Sequence, residues 1–225
     1  MTAQGPRAPL SRERILAAAV DLVDHEGLEA LTMRRLASTL DVEAMSLYHH
    51  LPGKDALLDG LVEMVVDEVA QATDTLADLG EWSLALRQRC LAARTVMLRH
   101  PWAPALIATR TTTPPGIYHH YEAIVATMIQ GGLSYHLAHR AVHALGSMAL
   151  GFVQELFAPA AAGSARTESS EEELAAILSD LPHLAAMAAS EVHATDEDVL
   201  GWCDSQEEFE FTLDLLLEGL ARRAS

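Results

Sequence analysis

Helical periodicity is the feature that most constrains the fold of this chain of 225 residues. Apolar residues recur at intervals of three and four in one segment after another, which is the spacing of one face of an α-helix. In the first such segment, Ile15, Ala19 and Val23 follow this pattern after Ser11, a suitable N-cap, and before Gly27, a suitable stop. No segment shows the alternation of a β-strand. The sequence therefore predicts an all-α protein.

Turn residues divide the chain into the remaining helices. Thr32 caps a short second helix that Asp41 interrupts, and a third short helix follows at residues 44–50, before Pro52 and Gly53. Longer helices are predicted from Lys54 to about residue 77 and at residues 82–97, 117–128 and 134–157, and two Ser-x-x-Glu capping boxes, Ser170 with Glu173 and Ser205 with Glu208, open the last ones. The composition of residues 158–170 predicts a flexible loop.

The composition is that of a compact cytosolic protein. Hydrophobic residues make up 50% of the chain, yet no apolar run is long enough to cross a bilayer, and the N-terminus MTAQGPRAPLSRER lacks the apolar core of a signal peptide. The two cysteines, Cys90 and Cys203, supply neither a disulfide framework nor a zinc set, and we expect both to be buried thiols. We therefore expect a cytoplasmic location and no membrane partner.

The net charge of −17 argues against nucleic acid as a partner, because phosphate binding depends on Lys and Arg. The charge is unevenly distributed, however. Residues 1–58 hold six Lys or Arg against eight carboxylates, whereas residues 59–225 hold nine against twenty-four. A nearly neutral N-terminal segment with well-placed cations can bind DNA while an acidic body keeps the protein in solution.

The segment DVEAMSLYHHLPGKDALLD, residues 41–59, indicates what the N-terminal part of the chain binds. A short capped helix, a tight turn and a second short helix with small and polar residues form the layout of a helix-turn-helix. Residues 11–59 resemble the tetracycline-repressor (TetR) family, most specifically in LTMRRLA and SLYHHLPGKDALL. The resemblance implies a three-helix DNA-binding bundle, followed by a helical body that dimerises and binds a small-molecule inducer, in a repressor of a palindromic operator.

The chemistry of individual side chains fits the roles that this resemblance implies. Small, apolar and hydroxyl side chains on the first turn of the reading helix can contact thymine methyls and base edges, while the residues that follow can donate to phosphates. Lys54 begins a helix, where a phosphate is favoured. We expect eight residues to contact operator DNA: Arg34, Ala44, Met45, Ser46, Tyr48, His49, His50 and Lys54.

Asp41 departs from the family pattern, which commonly has glycine in this turn. Aspartate tolerates the left-handed backbone conformation better than most residues do. We therefore expect the turn to be kept. Leu47 is expected in the core of the bundle, whereas Tyr48, with its polar tip, fits either the core or the surface.

The remainder of the chain is predicted to form the body. We divide the protein into an arm at residues 1–10, a DNA-binding domain at residues 11–58 and a ligand-binding and dimerisation domain at residues 59–225. The ending EFEFTLDLLLEGLARR is similar to the last helix of the tetracycline repressor's own subgroup. Helix 134–157 is apolar on more than one face, and Gly146 and Gly151 would permit close approach. Pairing it with helix 206–221 across a two-fold axis predicts a homodimer.

The inducer site is predicted around the bend at Trp102, where polar and aromatic groups lie on otherwise apolar helices. The candidates are Trp102, Arg110, Tyr118, Tyr121, Met128, His139, Met148 and Phe152. Ala70 and Leu106 align with positions that are histidines in the tetracycline repressor, and only Arg110 looks retained. We therefore assign neither tetracycline nor magnesium, and the inducer's identity stays open.

The sequence also allows two other interpretations, a metal-binding protein and an enzyme. His136, His139 and His143 share a helical face and, with His119 or His120, could surround a zinc or nickel ion, but no cysteine or carboxylate completes the set at close spacing. No phosphate-binding glycine loop and no nucleophile motif is present. We therefore expect no metal, no cofactor and no enzymatic activity. The alternative is a cytosolic helical protein or enzyme that handles a small molecule or metal without a DNA role.

Overall fold

The computed structural model describes residues 9–73, 80–111, 113–152, 176, 180–191 and 205–224. Throughout these residues the regular secondary structure is helical, which confirms the predicted all-α class. The chain divides into two compact units, one made of residues 1–153 and 213–225 and the other of residues 154–212. None of the helices in the described ranges is both long enough and apolar enough to cross a membrane.

The N-terminal helices begin and end where the capping residues predict. They are α1 (Arg12–Glu26), a 3-10 turn (Leu28–Ala30), α2 (Met33–Leu40) and α3 (Ala44–Tyr48). The Ser11 hydroxyl accepts a hydrogen bond from the Arg14 amide at 3.2 Å, and the Thr32 hydroxyl accepts one from the Arg35 amide at 3.0 Å. Both predicted N-caps are therefore confirmed. Helix α3 ends two residues earlier than predicted, because the chain turns at His49 and His50.

The turn between α2 and α3 depends on the backbone of Asp41. This residue adopts the left-handed conformation, with φ 54° and ψ 51°, as the sequence predicts. The Asp41 amide donates to the Ser38 carbonyl at 3.2 Å, and the Val42 amide donates to the Ala37 carbonyl at 3.0 Å. These two bonds satisfy carbonyls at the end of α2, and half-buried Val42 packs against the core. Helix α2 therefore keeps its usual C-terminal hydrogen bonds with an aspartate in place of glycine.

The helices that follow surround a common interior. They are α4 (Lys54–Thr73), α5 (Trp82–Arg99), α6 (Ala103–Thr109), α7 (Pro115–Gln130) and α8 (Tyr135–Gly151). The predicted extensions of α4 to residue 77 and of α8 to residue 157 lie outside the described residues. Helix α6 was predicted only as a bend, because a helix of seven residues that contains Pro104 is too short to show periodicity.

One hydrophobic core runs from the N-terminal bundle into the body. It includes Leu16 of α1, Leu36 of α2, Leu47 of α3, Leu61 of α4 and Leu106 of α6. Helix α1 crosses α4 closely, since a Cβ atom added to Gly60 would lie 2.5 Å from Cδ2 of Leu16. Fully burying a leucine side chain stabilises a fold by ~1.5–3 kcal/mol. The continuous core therefore ties the bundle to α4.

Two further helices occupy the C-terminal part, α9 (Pro182–Glu191) and α10 (Ser205–Ala224). Along α10 the side chains of Leu213, Leu217 and Leu220 are buried, whereas Leu215 is exposed. The predicted loop at residues 158–170, the capping box at Ser170 and the second cysteine, Cys203, fall outside the described residues.

Candidate nucleic-acid interface and ligand cavity

Helix α3 is held from one side and exposed on the other. Leu47 is fully buried, which confirms its predicted place in the core, and Leu51 just beyond the helix is buried as well. Met45 is 69% exposed and Tyr48 43% exposed. A methionine exposed to this degree on a short helix gains nothing from the protein's own core. The arrangement leaves the outer face of α3 available to a partner.

The predicted DNA contacts belong to α2, to α3 and its following turn, and to the start of α4. Six side chains are exposed: Arg34, Met45, Tyr48, His49, His50 and Lys54. Ala44 and Ser46 are half-buried. All eight residues are therefore at least partly accessible to a partner. Their contact with DNA stays a prediction.

The cations of the bundle differ in their partners. Arg35 forms an ion pair with Glu26 at 2.6 Å, and Arg12 forms one with Glu63 at 2.6 Å. Within the part of the chain that the structure describes, Arg34 and Lys54 form no ion pair. The charges of these two side chains are therefore available to a phosphate, and both residues belong to the predicted set.

A cavity of about 130 Å³ lies among five helices of the body, α4 to α8. Its wall is largely aliphatic, which follows from the apolar faces that these helices turn toward one another. Eighteen residues line it: Val65, Val66 and Val69 of α4; Leu86, Arg89, Cys90, Ala93 and Met97 of α5; Ile107 of α6; Ile117, His120, Tyr121 and Ile124 of α7; and Val142, Leu145, Gly146, Ala149 and Leu150 of α8.

Four of the lining side chains carry chemistry beyond packing. Burial raises the pKa of the Cys90 thiol to about 12, so this group is protonated and unreactive at neutral pH. Burial, and to a lesser degree the charge of Arg89, lowers the pKa of His120, which keeps the imidazole neutral. The Tyr121 ring lies against His120, with ring centroids 6.3 Å apart. Arg89 brings a permanent charge to an otherwise apolar wall.

The predicted ligand residues are mostly elsewhere. Of the eight, Tyr121 lines this cavity, whereas the other seven do not. Trp102, Met128 and Met148 are buried, and Tyr118 and His139 are exposed. Phe152 follows α8, and its carbonyl accepts a hydrogen bond from Arg94 at 3.5 Å. Ligand contact by any of the eight stays a prediction, and Tyr121 is the member of the set that lies on the wall of this cavity.

Arg110 forms ion pairs with two carboxylates of α4. Its Nε donates to Asp59 at 2.7 Å, and its Nη1 lies 3.5 Å from Asp55, so α6 is linked to α4. Both partners lie 50 or more residues away in the chain, so local sequence could not identify them. The ion pairs give Arg110 a structural explanation that needs no ligand.

The histidines of α8 do not form a metal set. The rings of His139 and His143 meet edge to face, with centroids 4.7 Å apart. Among the described residues, no group of three or more His, Cys, Asp or Glu side chains is arranged to hold a metal ion. The geometry therefore gives no support to the metal reading.

A polar cluster joins α1 to the body, and no local sequence pattern predicts it. His100 is buried, with Nδ1 2.9 Å from a carboxylate oxygen of Asp24 in α1 and Nε2 3.0 Å from Glu68 in α4. The Trp102 indole N–H donates to Asp24 at 2.6 Å, and Arg99 pairs with Glu68 at 2.6 Å. We call these five residues the interdomain clasp. It fixes α1 and α4 to the corner between α5 and α6.

The sequence marks one of these unpredicted residues, Arg89, as unusual. Arg89 lies on the apolar face of α5 among Leu86, Ala93 and Met97, and a charge on such a face marks either an ion pair or a site. The clasp had no comparable signal, because Asp24, Glu68 and His100 are more than 30 residues apart and look like ordinary surface residues.

The architecture is that of a helix-turn-helix regulator, with a reading helix on one side and an apolar cavity in the body. Residues 15–61 match the family model "Bacterial regulatory proteins, tetR family", and residues 76–224 match "Tetracyclin repressor-like, C-terminal domain". The chain belongs to the TetR family of bacterial regulatory proteins. This confirms the resemblance found in the sequence.

Individual relatives agree with this assignment. The chain is 32% identical over 174 residues to the tetracycline repressor protein class D of Escherichia coli, covering 76% of this chain and 78% of that protein. It is 35% identical over 133 residues to the HTH-type transcriptional repressor DrrR1 of Streptomyces coeruleorubidus, covering 58% of this chain. The match spans 48% of DrrR1, about half of its length.

A solved structure extends the likeness over almost the whole chain. The TetR family protein ActR of Streptomyces coelicolor, crystallised in complex with (S)-DNPA, superposes with a TM-score of 0.71 at 26% identity. The match covers 97% of this chain and 100% of that one. The fold of both the helix-turn-helix and the body is therefore that of the family.

Proposed function

We propose that this protein is a ligand-responsive transcriptional repressor that binds a palindromic operator as a homodimer and is released by a small molecule bound in the body. The observation that carries the proposal is the presentation of α3. Its Leu47 is buried in the bundle, whereas Met45 and Tyr48 are exposed. Arg34 and Lys54 are exposed too, and within the described residues they form no ion pair. Such a helix fits the major groove, flanked by phosphate contacts.

Coupling between the body and the bundle is supported by the course of α4. This helix begins at Lys54 beside the reading surface and contributes Val65, Val66 and Val69 to the cavity wall. A ligand that fits better when α4 is displaced would change the separation of two reading heads on a palindrome. The interdomain clasp would transmit that displacement to α1. The proposed division into a reading domain at residues 11–58 and a body at residues 59–225 follows this logic.

A homodimer is supported by the exposed faces of α8 and α10. The outer face of α8 carries the small residues Ala144, Ser147 and Gly151, and among the described residues no atom lies within 4 Å of a Cβ added at Gly151. Leu215 of α10 is also exposed. Small residues allow two helices to approach closely, and an exposed leucine gains from a partner. Gly146, in contrast, lines the cavity.

Selection from random duplex DNA with the purified full chain tests the proposal without knowledge of the operator. The expected product is a palindrome whose half-sites are spaced by about one helical turn, ~10 base pairs, or a multiple of it. A compound that co-purifies, identified by native mass spectrometry, should then release the protein from this DNA in an anisotropy titration. Recovery of no common sequence would contradict the DNA role, and an unaltered complex would contradict the ligand response.

A further inference from the structure

The cavity contains one fixed charge. Arg89 is the only one of its described lining residues that is charged at neutral pH, because the Cys90 thiol and the His120 imidazole are neutral there and no lining residue is a carboxylate. A guanidinium cannot lose its proton in a protein. Its charge in an aliphatic wall therefore needs compensation by hydrogen bonds or by an anion.

The protein's own compensation for Arg89 is incomplete. Its Nη1 donates to the hydroxyl oxygen of Thr73 at 3.0 Å, and Thr73 in turn donates to the Ala70 carbonyl at 2.9 Å. The Arg89 Nε is buried and has no hydrogen-bond partner in the described part of the chain. Buried polar atoms in native proteins nearly always have a partner, so the protein's own groups leave this guanidinium incompletely compensated.

We infer that the cavity binds a small apolar monocarboxylate, with the carboxylate on Arg89 and the apolar part against the aliphatic wall. The inference rests on the proposed function and specifies the ligand class of that site. A terminal nitrogen of the guanidinium can donate a charge-assisted hydrogen bond to a carboxylate oxygen. Neutral His120, next to the same space, can donate a further hydrogen bond.

The size and charge of the cavity narrow the ligand further. A volume of about 130 Å³ holds on the order of ten non-hydrogen atoms, since one water needs roughly 10–15 Å³ by this measure. An aryl or short alkyl acid is of this size. A cation would meet the charge of Arg89 without any lining carboxylate to attract it, so amines of the same shape should be excluded.

Three probes of one shape test the inference: 4-propylbenzoate, 4-propylbenzyl alcohol and 4-propylbenzylamine. In calorimetric titrations of the purified protein without DNA, the benzoate should bind at least tenfold more tightly than the alcohol, and the amine should be the weakest. Equal binding of benzoate and alcohol, or no binding of benzoate, would overturn the inference.

Variants then place the charge preference on one residue. In Arg89→Met the advantage of the benzoate over the alcohol should disappear. Arg87→Met is the matched control, because Arg87 lies one half-turn away on α5, pairs with Asp214 and does not line the cavity. This variant should keep the wild-type preference for the benzoate over the alcohol. A benzoate preference that survives in Arg89→Met would overturn the inference. If that variant does not fold, Arg89→Lys should keep the preference at lower affinity, and a full loss there would count against Arg89 as the counter-ion.

These titrations also separate this inference from the proposed function. Benzoate binding by a protein that selects no operator would refute the repressor and keep the ligand class. Operator selection by a protein that prefers the alcohol would refute the ligand class and keep the repressor.

Discussion

At the scale of the residue, two neighbouring arginines show how an ion pair decides a side chain's availability. Arg34 and Arg35 are both exposed on α2, but Arg35 is engaged with Glu26 at 2.6 Å. Arg34 has no such partner in the described residues. Two adjacent residues of one type therefore differ in availability, since the charge of Arg35 is engaged by Glu26 and that of Arg34 is not.

Arg34→Gln should weaken operator binding by ~1–3 kcal/mol and reduce the slope of affinity against salt by about one, because one cation near the DNA is lost. Arg35→Gln, the matched control, should leave both quantities near their wild-type values. Fluorescence anisotropy on the selected operator over a range of salt concentrations measures both. Equal effects of the two substitutions would show that the bundle's overall charge matters, rather than the position of Arg34.

At the scale of the element, the crossing of α1 and α4 depends on a missing side chain. A methyl group at Gly60 would meet Leu16, which is itself fully enclosed by the core. Gly60→Ala should therefore lower the free energy of unfolding by about 1 kcal/mol. Overpacking destabilises by ~1–3 kcal/mol, and the higher helix propensity of alanine offsets ~1 kcal/mol of this loss. Urea denaturation at fixed protein concentration gives the value.

Gly146→Ala provides the comparison for this measurement. A Cβ at Gly146 meets no described atom within 4 Å, so the variant should be more stable by up to ~1 kcal/mol. If both alanine variants were equally stabilised, the close crossing of α1 and α4 would not constrain the fold.

The proposed dimer makes a prediction about α10. Leu215 is 51% exposed and Leu98 of α5 is 52% exposed, so the two differ in position but not in exposure. Leu215→Glu should yield monomers that no longer bind the palindrome, because it places an unpaired charge in the interface, whereas Leu98→Glu should remain dimeric. Sedimentation analysis distinguishes the two. An intact dimer with Leu215→Glu would move the interface elsewhere.

The helices of the bundle could be predicted from sequence, because caps and periodicity are local, whereas its function was implied by the resemblance to the TetR family. Ser11, Thr32 and Asp41 each act within a few residues of their own position. The cavity could not be predicted, since valines that line a cavity and valines that fill a core have the same sequence pattern. The ion pairs of Arg110 could not be predicted either, because its partners, Asp55 and Asp59, are distant in the chain.

At the scale of the whole molecule, the interdomain clasp connects the part that would read DNA with the part that would bind the ligand. Asp24→Asn should lower the free energy of unfolding by ~1–3 kcal/mol, because the contacts of His100 and Trp102 lose their charged acceptor. It should also weaken operator binding, since α1 is less firmly held against α4. Thermal or urea unfolding and anisotropy give the two quantities.

Asp21→Asn is the control for the clasp. Asp21 is exposed on the same helix, so its substitution should change stability by less than ~0.5 kcal/mol. An Asp24→Asn variant as stable as the control would mean that the clasp contributes nothing to the native state.

The contact of Leu16 with Gly60 also bears on the construction of chimaeric regulators. A recognition head taken from a relative and joined at residue 58 would bring a foreign α1 against this protein's α4, across a core that includes Leu57, Leu61 and Val65. A bulkier residue in place of Leu16, or a larger one in place of Gly60, would force the crossing apart. An exchange of DNA specificity is therefore expected to succeed when α1 and α4 are transferred as one piece, with the residues that touch across their crossing kept as a pair.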